Sequence, residues 1–235
     1  MNTTTRPQHL STEEIHKICI KATGGETEDT KICMIQEELQ QGIHAIKQYD
    51  RSVTMYGSAV LPETSPDYQK ARNLAYRISK ELGYAVMTGG GPGIMEAGNR
   101  GAQEAGGKSV GLTIKLPREQ HTNTYVTDEI PFYYFFSRKM TMSYTSEACI
   151  YFPGGFGTLD ELFEILTLLQ TKKIPKVPVI LVGSAFWKPL DTFIRNTLLE
   201  AYETIDTTDA NLYTILDDED EILSVIKNAP AREDI

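Results

Sequence analysis

Two glycine-dense turns constrain this chain more than any other feature. Thr88-Gly89-Gly90-Gly91-Pro92-Gly93 and Pro153-Gly154-Gly155-Phe156-Gly157-Thr158 each close a short apolar run and open a helical stretch. Tight strand-to-helix turns of this kind build βαβ units, and βαβ units build a mostly parallel sheet with helices on both faces. From residue 51 onward the same alternation continues. Apolar runs at 52–56, 85–88, 109–113, 124–127, 148–152, 179–182 and 213–216 predict strands. Helical periodicity covers 67–82, 94–105, 135–146, 159–169, 186–202 and 219–227. Ligands in such folds sit at the carboxyl ends of strands. Chemistry is therefore expected at the two turns and at Tyr56-Gly57-Ser58-Ala59.

Residues 1–50 read differently. They hold no strand pattern. Ser11-Thr12-Glu13-Glu14 begins a short helix, 22–29 is a flexible link, and Thr30 to Tyr49 is helical. Ile32, Ile35, Leu39, Ile43 and Ile46 form one apolar stripe there, expected to pack on the main domain or on a partner. The chain thus divides into a helical extension over 1–50 and a mostly parallel α/β domain over 51–235.

Composition removes several classes. Lys plus Arg number 23 against 32 Asp plus Glu, a net charge of −9, which disfavours nucleic acid as a partner. No apolar run approaches the ~18 residues of a membrane helix. The opening residues lack the apolar middle of a signal peptide. Cys19, Cys33 and Cys149 are too few and too scattered for a disulfide framework or a zinc cage. The four histidines show no paired metal spacing. A cytoplasmic protein without a metal site is expected.

The second turn admits two readings. Gly154, Gly155 and Gly157 open backbone angles closed to other residues and let an oxyanion approach the N–H groups of a helix N-terminus, with the Thr158 hydroxyl adding a donor. Equally, Thr158-Leu159-Asp160-Glu161 is a T-x-x-E capping box, with Thr158 as N-cap. The first turn, through Gly89, Gly90, Gly91 and Gly93 to Glu96, follows the same logic, and two such turns at neighbouring strand ends suggest one shared pocket. The dinucleotide fingerprint fails, since the sixth residue is Glu96 counted from Gly91 and Asp160 counted from Gly155. Walker A fails because Ala102 stands where glycine is required.

Arg138-Lys139 is either a solvated basic pair or part of a pocket lining. Its flanks, Tyr133 to Phe136 and Met140, favour the lining. Cys149 reads as a small core residue. The run Asp217 to Glu221 reads as a solvated cap of the last helix.

The stretches GGGPGIMEAGNRGA (89–102), SRKMTMSY (137–144) and PGGFGTLDELFEILTLLQTKKI (153–174) together resemble the LOG ("lonely guy") family of cytokinin-activating phosphoribohydrolases, often labelled lysine-decarboxylase-like. The longer GPGIMEA form and the N-terminal segment resemble its long bacterial branch. The resemblance implies a Rossmann-like α/β fold and hydrolysis of the N-glycosidic bond of a nucleoside 5′-monophosphate, AMP or N6-modified AMP, without metal or cofactor. It implies Arg138 and Glu161 as the catalytic pair. Gly154, Gly155, Gly157 and Thr158 would hold the phosphate. Gly89, Gly90, Gly91 and Gly93 would wall the nucleotide, with Glu96 and Lys139 nearby. It also implies a homodimer or higher homo-oligomer. A decarboxylase that uses pyridoxal phosphate needs a Schiff-base lysine and a pyridinium partner, and the sequence presents neither. The alternative is a non-catalytic binder or carrier of a nucleotide or phosphorylated cofactor, which would not need the Arg138–Glu161 pair.

Overall fold

The computed structural model describes residues 9–115, 121–144 and 146–231. Seven strands form one sheet in the order β4-β3-β2-β1-β5-β6-β7, every neighbouring pair parallel. They are β1 (Ser52–Tyr56), β2 (Ala85–Thr88), β3 (Ser109–Ile114), β4 (Asp128–Phe132), β5 (Ala148–Tyr151), β6 (Val179–Leu181) and β7 (Thr214–Ile215). The Rossmann-like α/β arrangement follows from the burial pattern. Side chains of alternate parity enter opposite cores, so Cys149 and Tyr151 join one and Ala148 and Ile150 the other. One core is covered by α3 (Pro66–Arg77), α4 (Ile94–Glu104) and α8 (Glu219–Lys227). The other is covered by α2 (Glu28–Ile46), α5 (Phe135–Ser143), α6 (Phe156–Gln170) and α7 (Ser184–Phe193). Helix α3 runs on through a π turn to Leu82, and α7 through π turns to Ala201.

Several element boundaries differ from expectation, among them α2, which runs Glu28–Ile46 rather than 30–49. The fourth strand lies at Asp128–Phe132, not at 124–127. Asn123 is drawn toward the glycine turn, its N–H donating to Gly90 O (2.9 Å) and its amide to Gly91 O (2.9 Å), and the chain regains β3 only at Thr127, whose N–H donates to Ser109 O (2.8 Å). Pro131 is tolerated because β4 is an edge strand and need not donate outward. Helix α6 begins at Phe156, three residues before the expected start. Helix α5 ends at Ser143, and residue 145 within the expected helix lies outside the described residues.

At the N-terminus α1 (Thr12–Thr23) is closed by a reciprocal box between Ser11 and Glu14 and ends at Gly24, whose φ of 78° suits glycine. Cys19 and Cys33 form a disulfide that ties α1 to α2. The cysteines read as too few and too scattered for a disulfide framework; the helical hairpin nonetheless places two of them opposite each other, 5.7 Å apart at Cα. The expected apolar stripe of α2 is also rotated. Met34, Glu38, Gly42, Ala45 and Ile46 are buried, Ile32 is exposed, and Ile35, Leu39 and Ile43 are half-buried. Close approach decides the rotation: a Cβ on Gly42 would stand 2.7 Å from Thr141 Oγ1 and 2.9 Å from the Phe132 ring.

The first glycine turn is held by a buried polar network. Asn99 Oδ1 accepts from Thr88 Oγ1 (2.6 Å) and Asn123 Nδ2 (2.9 Å), and Asn99 Nδ2 donates to Ser109 Oγ (3.0 Å) and Val110 O. Thr88 Oγ1 in turn accepts from Gly90 N (2.9 Å). Every valence of the amide is used, so losing it strands several buried groups. Asn99→Ala is expected to lower stability by about 1–3 kcal/mol, read from urea unfolding.

Candidate active site

Strand order reverses between β1 and β5, and a cavity of about 400 Å³ opens there. The turn after β1 and the start of α6 face each other across it. Ser58 N donates to Pro153 O (3.0 Å) and Ile94 N to Ser58 O (2.9 Å), so the β1 turn is tied to both glycine turns. A Cβ on Gly93, where φ is +68°, would collide with Ser58 O, and one on Gly154 would collide with Thr158 Oγ1. These two glycines serve packing and do not line the cavity.

Gly155 and Gly157 do line it, and the space where their Cβ atoms would stand is empty. None of Gly154, Gly155 and Gly157 has positive φ. The expectation that these glycines supply forbidden backbone angles is therefore corrected; what Gly155 and Gly157 supply is open access to the backbone. The capping box is corrected as well. Gly155, not Thr158, is the N-cap of α6, and no side chain caps it. Thr158 stands in the first turn and lines the cavity, as does Glu161 one turn further. The first N–H groups of a helix have no intrahelical partner and lie at the positive end of the dipole, so an anion is favoured there.

Glu161 is half-buried, and burial pushes its carboxyl up to about 7. Arg138 and Lys139 oppose that shift, while Glu164 and Asp160 add to it. Arg138 comes from α5. Its Nε donates to Leu112 O (2.8 Å), and its Nη2 occupies the space that a side chain on Gly89 would take. Burial lowers the Arg138 pKa and the Glu161 charge opposes this; a guanidinium stays charged at neutral pH regardless. Among the described residues no ion pair joins Arg138 to Glu161, so both keep polar atoms for a ligand.

Other expected site residues are placed elsewhere. Lys139 is held by Asp160 (2.8 Å) and Glu164 (2.9 Å) and does not line the cavity. Glu96 accepts from Tyr68 Oη (2.8 Å), away from the cavity. Gly89, Gly90 and Gly91 line a second cavity of about 380 Å³ beyond Arg138. The two cavities share Gly89, Met95, Phe135 and Arg138, and α1 closes the second with Thr12 and Glu13, the latter paired to Lys115. Tyr56, from the turn singled out after β1, and Phe135, from the aromatic flank of Arg138, line the cavity as expected; sequence reasoning missed Met55, Met95 and Met142 as lining residues. Tyr56 stacks on Tyr151 at 4.6 Å, and its buried hydroxyl has no hydrogen-bond partner. Apolar types at strand ends carry no signal separating core from lining. Cys149 is buried and its thiol is pushed up to about 12, consistent with a core role.

A family model described as "Possible lysine decarboxylase" matches residues 95–226. The chain belongs to this lysine-decarboxylase-like, or LOG, family. A stretch of 67 residues is 34% identical to a cytokinin riboside 5′-monophosphate phosphoribohydrolase of Rhodococcoides fascians, covering 28% of this chain and 34% of that protein. The aligned stretch thus spans about a third of the relative. Among solved structures, a molybdenum cofactor carrier protein of Chlamydomonas reinhardtii superposes with a TM-score of 0.58 at 22% identity, over 77% of this chain and 98% of that one. The molybdenum cofactor binding protein of Rippkaea orientalis gives 0.54 at 23%, over 75% and 93%. DNA processing protein A of Streptococcus pneumoniae gives 0.52 at 11%, over 78% and 63%. At these identities the structures show the shared fold. No described helix of this LOG-family chain is long and apolar enough to cross a membrane.

The opposing effects on Glu161 generate a direct test. Its carboxyl carbon, followed by NMR, is expected to titrate near pH 7. In Arg138→Met the stronger of the two lowering influences is gone, so the midpoint should move to higher pH.

Proposed function

We propose that the protein hydrolyses the N-glycosidic bond of a nucleoside 5′-monophosphate, AMP or an N6-modified AMP, to the free base and ribose 5-phosphate. The observation that carries this reading is the pairing of an uncapped, glycine-bared helix N-terminus with a half-buried carboxylate one turn along the same helix, facing a guanidinium. One helical turn advances about 5.4 Å, comparable to the separation between a 5′-phosphate and the ribose ring.

The 5′-phosphate is received by the backbone of Gly155 and Gly157 and by Thr158. The ribose then lies over Glu161. Cleavage of the C1′–N bond passes through an oxocarbenium-like state, and a carboxylate beside the sugar stabilises it and orients water, by analogy with O-glycosides. The water oxygen bonds to C1′ and the base leaves with its bonding electrons, taking up a proton. Arg138 binds substrate oxygens or the departing base. Burial poises Glu161 near neutrality, so the carboxylate form grows as pH rises through 7 and activity should rise with it.

Incubation with AMP should release adenine and ribose 5-phosphate. Glu161→Gln and Arg138→Ala should each lower kcat by about 10²-fold or more; full activity in both would overturn the mechanism. Tight AMP binding without base release at high enzyme concentration would instead favour a nucleotide or phosphorylated-cofactor carrier, a reading supported by the fold shared with a molybdenum cofactor carrier protein and a molybdenum cofactor binding protein. We also propose a homodimer, because Phe135, Phe136 and Met140 on α5 and Phe156 and Phe163 on α6 are exposed, Phe156 by 92%. Light scattering at micromolar concentration should return twice the chain mass, and a monomer would contradict it.

A further inference from the structure

Helix α5 carries Arg138, yet its own sequence does little to hold it. Its N-cap is Tyr134, no side chain of the cap residue bonds back to it, and its first turn contains no acidic residue. The missing acceptor comes from α2. Glu38, only 1% exposed, accepts from Tyr133 N (2.6 Å), Tyr134 N (3.3 Å) and Ser137 Oγ (2.7 Å). No ion pair involves Glu38 among the described residues. A buried carboxylate without a cation is costly; here the N–H donors and the helix dipole offset that cost. One turn further along α2, Gly42 meets Thr141 with no room for a side chain. Helix α5 is therefore pinned at 137 and 141, on either side of Arg138, while Phe135, Phe136 and Met140 on its other side are exposed. The guanidinium has little slack: Leu112 O holds its Nε and Gly89 bounds its Nη2.

We propose that Glu38 is a positioning residue for the cleavage reaction: by capping α5 from α2 it sets where the Arg138 guanidinium stands relative to Glu161. The inference rests on the function proposed above. It gives the N-terminal segment a task in the reaction, which no motif in residues 1–50 announces.

The test uses the full chain. Glu38→Gln keeps the volume of the side chain and replaces one acceptor oxygen with an amide donor facing backbone N–H groups, so the cap is spoiled with little loss of packing. Misplacing a positioning group by about 1 Å can cost roughly 10²-fold. Glu38→Gln should therefore lose about 10–100-fold in kcat for AMP while KM stays within about twofold. Its acid limb should move to higher pH, because Arg138 no longer lowers Glu161 fully against Asp160 and Glu164. Glu38→Asp, a shorter carboxylate, should recover part of the rate. Ile226→Ala, which hollows the core on the opposite face, serves as the stability control: it should lower the melting temperature yet keep kcat and the position of the limb. Wild-type kcat and an unmoved limb in Glu38→Gln, with the wild type releasing adenine, would overturn the positioning role and leave the proposed function intact. A wild type that releases no base would overturn both.

Discussion

Right-handed crossovers impose the constraint from which the site follows. A parallel strand pair joined through a helix is right-handed almost without exception. From β1 the chain steps outward through α3 to β2, and from β5 it steps the other way through α6 to β6. Opposite steps with one handedness put α3 and α6 on opposite faces, and their departing turns separate above the sheet. A crevice must open between β1 and β5, whatever the side chains. The glycine turns, the Ser58 tether and the bare start of α6 are the local chemistry placed in a gap that topology creates.

That gap explains how an acidic chain accommodates an anion. A net charge of −9 is spread over the whole surface, whereas binding depends on the local field. At the start of α6 the donors are backbone N–H groups, which carry no formal charge and appear in no composition. The neighbouring lysine is already paired: Lys139 is clasped by Asp160 and Glu164. Arg138 therefore supplies the formal positive charge that most strongly opposes the shift of Glu161. Burial and the guanidinium work against each other on that carboxyl, and burial prevails, which leaves Glu161 near neutrality rather than fully ionised.

Much of the fold was readable because strand burial is two-sided. Ala148 to Tyr151 is buried at every position, so a short continuous apolar run was a sound strand signal. The signal failed where a side chain competed with the ladder. Asn123 drew the chain toward the glycine turn, so that it regains β3 only at Thr127, and Pro131, ordinarily evidence against a strand, sits harmlessly at an edge. The turn motif located the start of α6 but not its cap, since a T-x-x-E pattern reads the same whether threonine precedes the helix or stands inside it. Gly155 took the cap instead. Placing Thr158 within the helix brings it and Glu161 to the lining of the same cavity, so the misread cap is also what brings the candidate site together.

The least readable part was the N-terminal segment, and the reason is physical. Its strongest periodic signal, the isoleucine stripe, misses the docked face by part of a turn: Ile32 is exposed, Ile35, Leu39 and Ile43 are half-buried, and Ile46 alone of the five is fully buried. The face that docks is marked by Glu38 and Gly42, residue types that hydropathy scores as unfit for burial. Each is fit only in context: Glu38 because an uncapped helix start presents donors to it, and Gly42 because two helices approach too closely for a side chain. Neither context can be read from residues near them in the chain, since the donors lie 95 residues away or more. Periodicity within a helix identifies a partner made of oil. It is silent about a partner made of unpaired N–H groups, which is what α5 offers, and so the contact that fixes Arg138 is the one the sequence conceals.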